Sequence, residues 1–129
     1  MTGFAGNIEK LTTKNNFFRK VLFTGKHTQL VVMSLLPGEE IGTEVHKKVD
    51  QFFRIEAGRA KFVFNGKEVH LAKADDAIIV PAGTIHNVIN PSKTEKLKLY
   101  TLYSPPNHPD KTIHRTRKAA EEAEKKGHH

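Results

Sequence analysis

The sequence predicts an all-β domain, a sandwich or closed barrel of short strands with a short helix near its C-terminal end. Three observations predict it. β-type runs of four to eight residues recur at 18–24, 29–36, 51–57, 60–64, 68–71, 77–80, 86–89 and 97–103. Turn-forming residues separate them at regular spacing, the pattern of a sandwich or barrel. Only the segment after Thr116, RKAAEEAEKK, changes character, to the alanine, glutamate and lysine of a helix.

Each element has its own punctuation. Asn15-Asn16 and Gly25 bound the first run, and Pro37-Gly38 stops the second. Gly58 divides 51–57 from 60–64. Asn65-Gly66 lies between two apolar runs, the signature of a hairpin with a type I′ turn, because both turn positions need positive φ. Asp75-Asp76, Pro81-Ala82-Gly83 and Asn90-Pro91 end the later runs. Thr116 is placed to cap the closing helix. Three alanines are its whole apolar content, too little for a face that enters a core, so a peripheral helix is expected. The resulting division is an N-terminal arm at 1–16, a barrel at 17–104 and an extension with the short helix at 105–126. Gly127-His128-His129 reads as a purification-tag remnant.

The chain has 129 residues, enough for one core and not for two. Apolar residues make up 37% and charged residues 27%, which excludes a disordered chain. No apolar run approaches the ~20 residues of a spanning helix, and the start lacks a secretory pattern, so a cytoplasmic protein without membrane contact is expected. The charge of +7 comes from scattered lysines with no basic cluster interleaved with aromatics, which argues against nucleic-acid binding. Cysteine is absent, so any metal is held by nitrogen and oxygen. Runs 30–36 and 97–103 are apolar on both alternating faces. A barrel interior buries one face, and the other needs a partner sheet, the tail or a second subunit, hence the expectation of a homodimer.

Two segments hold the chemistry. Glu44 and His46 are two apart, so on extended chain both leave the same face. Gln51 opens the next strand and shares a face with Phe53, Ile55 and Ala57. In the second segment a Pro81-Ala82-Gly83 turn delivers His86 to the start of a strand. Two imidazoles, one carboxylate and one amide suit a divalent transition metal, manganese, iron, nickel or zinc. Asp50 rivals Gln51, but it alternates with Phe52, Arg54 and Glu56 on a charged face that points to solvent. Phe53, Phe62, Phe64 and Tyr103 are expected inside the barrel, and Arg54 and Lys61 outside. The other histidines, His27, His70, His108 and His114, are read as bland. For His108 and His114, in the Pro-rich tail, gating of the barrel mouth is the alternative.

These segments resemble the paired cupin motifs, G-x5-H-x-H-x3,4-E-x6-G and G-x5-P-x-G-x2-H-x3-N. Gly38, Glu44, His46, Gln51 and Gly58 keep the spacing of the first, and Pro81, Gly83, His86 and Asn90 that of the second. The chain is also similar to small cupins loosely labelled mannose-6-phosphate isomerase-like. The resemblance implies a jelly-roll barrel, or double-stranded β-helix, holding one metal through Glu44, His46, Gln51 and His86. Glu44 stands where cupins usually have the first histidine and Gln51 where they have glutamate, an exchange that keeps one carboxylate in the set. Asp75 replaces the glycine that opens the second motif.

Two classes of function follow. One is an enzyme of isomerase, epimerase or lyase type. Its substrate is a small sugar-like molecule or oxo acid chelated by the metal, with Glu44 as base and Tyr103 as the second acid/base group. A dioxygenase is the variant of this reading. The other is a binding module without turnover. No organic cofactor site is read from the sequence.

Overall fold

The computed structural model describes residues 2–126, and the tag-like residues 127–129 lie outside the described residues. The elements are α1 (Ile8–Lys14), β1 (Arg19–Thr24), β2 (Gln29–Leu35), β3 (Glu44–Val45), β4 (Asp50–Ala57), β5 (Arg59–Phe64), β6 (Glu68–Lys73), β7 (Ala77–Val80), β8 (Ile85–Ile89), β9 (Leu97–Ser104), β10 (Ile113–His114) and α2 (Arg117–Lys125). Six strands form one sheet in the order β10-β1-β2-β9-β4-β7, and four form the other in the order β3-β8-β5-β6. All pairings are antiparallel. Two such sheets facing one another give the jelly-roll barrel expected of an all-β chain.

Alternation decides what lies between the sheets. Val31, Met33 and Leu35 of β2, Phe53 and Ile55 of β4, Phe62 of β5, Val88 of β8 and Leu97 and Leu99 of β9 are all fully buried. They are successive odd or even positions of their strands, and together they make one continuous core. Phe53 and Phe62 meet edge to face across it, with ring centroids 5.1 Å apart. The Asn65-Gly66 turn has φ of 52° and 73°, and Phe64 O accepts from Lys67 N at 3.1 Å, the type I′ hairpin read from the sequence.

Two covers were not read from the sequence. The N-terminal arm contains α1, capped by Asn7, whose side chain accepts from Lys10 N. It packs on β9, β4 and β2. Leu30 and Val32, on the outer face of β2, are buried, so part of the face expected to need a partner is covered within the chain. Lys98 ties the arm down by donating to Asn15 O and Asn16 Oδ1. Expecting α2 to stay clear of the core is corrected: Ala120 is 3% exposed and joins the core cluster. No helix of the described residues is long and apolar enough to cross a membrane.

Candidate metal centre

The short strand β3 pairs with β8 so that Glu44 faces His86. Period-two alternation turns Val45 outward and returns His46 to the face of Glu44. Gly83 fixes the loop that follows: at φ +85°, its N–H donates to His46 O at 2.9 Å. A residue with a side chain would strain that turn. The ligand atoms of Glu44, His46 and His86 all lie within 4.8 Å of one another. The His46 and His86 rings are 5.4 Å apart by centroid.

Gln51 enters from β4, fully buried, while Asp50 points outward and accepts from Ala82 N at 2.8 Å. Gln51 Nε2 donates to Thr101 Oγ1 at 3.0 Å, which orients the amide. His46 Nε2, His86 Nε2 and Gln51 Oε1 are among the buried polar atoms that have no hydrogen-bond partner among the described residues. Leaving a buried acceptor unpaired costs about 1–3 kcal/mol, yet three of the four sequence-predicted ligands carry such an atom. That is the donor set a divalent ion would satisfy, so the residues fit the metal the motifs imply.

The electrostatics prepare these groups. His86 Nδ1 bonds to Thr84 O at 3.0 Å, so Nδ1 carries the proton and Nε2 the lone pair. Burial lowers the His86 pKa, outweighing the Thr84 bond and Glu44, and favours the neutral ring a metal needs. At Glu44 burial acts to raise the pKa, but the His46 ring, its Nε2 3.8 Å from Glu44 Oε2, together with the charges of Arg19 and His86, outweighs it, and the carboxyl is held below its ordinary value.

Tyr103, opposite Gln51 in the β4–β9 register, is buried 5.9 Å from the His46 ring. Burial drives its pKa strongly upward, so it is held as a neutral phenol, a proton donor and not a base. His108 Nε2 is 3.1 Å from the Tyr103 hydroxyl. His108 and His114, read as bland with gating as the alternative, are both 8% exposed and hydrogen-bonded within the fold. The reason is that the tail folds back onto the barrel, which no local pattern announces. His27 is exposed, and His70 is half-buried beside Glu68 at the sheet surface.

Arg19 was missed altogether. It is 1% exposed and donates through Nη1 to His114 Nδ1 at 3.2 Å. The signal was present, since Arg19 alternates with Val21 on the inward side of β1. Asn90, by contrast, is not a ligand. Its Nδ2 donates to Leu35 O, Leu36 O and Glu95 O, so the motif's last residue fastens β8 to the end of β2. A cleft of about 440 Å³ opens beside Glu44 and His46, walled by Val49, Asn107, His108 and Glu124 among others.

A family model described as "Cupin domain" matches residues 31–103, more than half of the chain. The chain is a cupin. It is 51% identical over 126 residues to the uncharacterized protein YrkC of Bacillus subtilis (strain 168), covering 94% of this chain and 67% of that one. An uncharacterized protein of Acanthamoeba polyphaga mimivirus is 46% identical over 106 residues, covering 80% of this chain and 66% of its own. The cupin therefore spans about two thirds of the length of these relatives. Among solved structures, the crystal structure of BH2720 from Bacillus halodurans superposes with a TM-score of 0.90 at 43% identity, covering 93% of this chain and 94% of that one.

Proposed function

We propose that this cupin binds one divalent transition metal and is an enzyme of isomerase, epimerase or lyase type acting on a small oxygen-rich molecule. The observation that carries it is the convergence of Glu44, His46 and His86 within 4.8 Å of one another, with the Nε2 atoms of both histidines buried and lacking a hydrogen-bond partner among the described residues. A metal there would supply Lewis-acid polarisation of a carbonyl or hydroxyl oxygen. Proton traffic belongs to the chain's own groups. Glu44 is held ionised, which suits a base for a carbon-bound proton. Tyr103 is held protonated, which suits an acid, and the adjacent His108 ring is placed to resupply its proton. Two groups driven to opposite protonation states are what proton transfer to and from a bound substrate requires. The isomerase-like label rests on this pair.

The test begins with elemental analysis of tag-free protein prepared without a nickel column. About one metal per chain is expected, and His86→Ala should weaken uptake on the order of 100-fold or more, beyond what loss of an outer partner costs. The loaded protein is then incubated in D2O with sugar phosphates, unsaturated uronates and 2-oxo acids. Deuterium at the carbon beside the carbonyl, lost in Tyr103→Phe, is the expected result. No metal after reconstitution defeats the reading, and metal without exchange or turnover makes the protein a binding module.

A further inference from the structure

Arg19 is the one strongly cationic side chain in the barrel mouth that the proposed chemistry leaves without a task. The residue is 1% exposed, and an arginine that deep is normally paired with a carboxylate. Among the described residues none lies within ion-pair distance of it. Its side-chain hydrogen bonds go to uncharged groups, the His114 ring and the Tyr103 phenol, and its Nε has no hydrogen-bond partner among the described residues. It lines, with Glu44, a cavity of about 120 Å³ at the foot of α2. Glu121 and Glu124 border that cavity from α2, but both are exposed and Glu121 is engaged by Arg117. Arg19 also acts on Tyr103 and on Glu44, so it stands beside the groups of the metal reading and not in a separate compartment.

Charge counting points the same way. A divalent ion, one ionised Glu44, neutral His86 and Arg19 leave a buried net charge of about +2, which is costly in a low-dielectric site. A neutral sugar leaves that excess in place. A carboxylate reduces it, and a planar guanidinium with an unpartnered Nε–H is a group that binds a carboxylate in fixed geometry.

We propose that Arg19 is a substrate-binding residue that holds the carboxylate of a small hydroxy or oxo acid, whose neighbouring oxygen is thereby presented to the Glu44, His46 and His86 cluster. This rests on the metal reading above and narrows its substrate class from oxygen-rich molecules to acids.

The test uses the full chain loaded with Mn2+, with pyruvate and its uncharged counterpart pyruvamide as probes in titration calorimetry. The metal itself prefers an anion, so the deciding quantity is how the preference changes in Arg19→Met. The wild type should prefer pyruvate, and Arg19→Met should narrow that preference about tenfold or more while binding Mn2+ as tightly or more tightly, because a nearby positive charge has gone. A merely structural arginine would weaken both together. Metal-free wild-type protein supplies an arm that needs no variant: pyruvate, and not pyruvamide, should raise its melting temperature. An unchanged preference in Arg19→Met overturns the proposal, and so, should that variant not fold, does the absence of any pyruvate effect on metal-free protein. Failure to take up Mn2+ defeats the metal reading instead, and the metal-free arm still decides Arg19.

Discussion

His86 gives its Nδ1 proton to Thr84 O, and that bond leaves on Nε2 the lone pair a metal requires. His114 is used the other way round, its Nδ1 accepting from Arg19, which only a neutral ring can do. Burial, first among the causes, lowers both pKa values, with the Arg19 charge adding to the shift at His114. The sign for stability follows. Below about 6.5, the ordinary value for histidine, the unfolded chain binds protons that the folded chain refuses. Their stabilisation is complete above that pH and is lost as the pH falls towards the lowered folded values. Glu44, also lowered, adds a loss of the same sign below its ordinary value of 4.5. Metal-free protein should therefore unfold at a lower urea midpoint at pH 5 than at pH 7, and His114→Asn, which keeps a neutral acceptor, should flatten the profile. A profile equally flat in the wild type would show that these rings take up protons in the folded chain as readily as in the unfolded chain. At this scale the sequence disclosed the candidate cluster of Glu44, His46 and His86, because these residues obey local spacing and alternation. Arg19, His108 and His114 escaped, because the Arg19–His114 bond joins residues 95 positions apart.

Strand positions were legible for a similar reason: period-two patterning and turn residues act within a few residues of themselves. α1 was not, since its seven residues include Thr12 and Thr13, poor helix formers, and docking on the sheet sustains it. Glycine shows the limit of local reading. Gly58, between β4 and β5, has φ +82°, and a Cβ there would collide with the backbone carbonyl of Lys96 just before β9. Gly66 has φ +73° with nothing within 4 Å of a Cβ. The first motif's closing glycine is thus required by a neighbouring segment and the hairpin glycine only by its own turn. Gly66→Ala is expected to cost about 1–2 kcal/mol, the left-handed penalty alone. Gly58→Ala should cost clearly more, about 3 kcal/mol or above, as the β4–β5 turn and the chain entering β9 separate. Urea denaturation of both variants compares them, and equal losses would mean that the Lys96 segment moves aside without strain.

For the molecule as a whole, the open matter is what covers the outer face of the six-stranded sheet. The two-faced apolar pattern of β2 and β9 led to the expectation of a second subunit, yet Leu30 and Val32 are already buried within the chain, and α1 packs on β2. Phe52, Tyr100 and Leu102 remain half-buried, and Ile79, opposite Phe52 on the edge strand β7, is 64% exposed. Phe52 and Tyr100 already touch, with centroids 6.2 Å apart, so these side chains form a strip and not isolated spots. A single exposed isoleucine needs no explanation, whereas a strip continuous with the edge of a sheet is a surface where another chain can pack or pair. Charge does not oppose this strongly: +7 is spread over the whole chain, and the strip itself carries apolar and aromatic groups around Arg54. We therefore expect a homodimer joined over Phe52, Ile79 and Tyr100, with the metal centres of the two copies facing away from the interface, because the ligands lie on the inner side of each barrel. Light scattering on the full chain should give twice the chain mass, and Ile79→Glu should halve it without altering metal content, since Ile79 is exposed on the six-stranded sheet whereas Glu44, His46 and His86 belong to the β3–β8 end of the other sheet. A monomer in the wild type would mean that α1 already covers enough of the face for the barrel to stand alone.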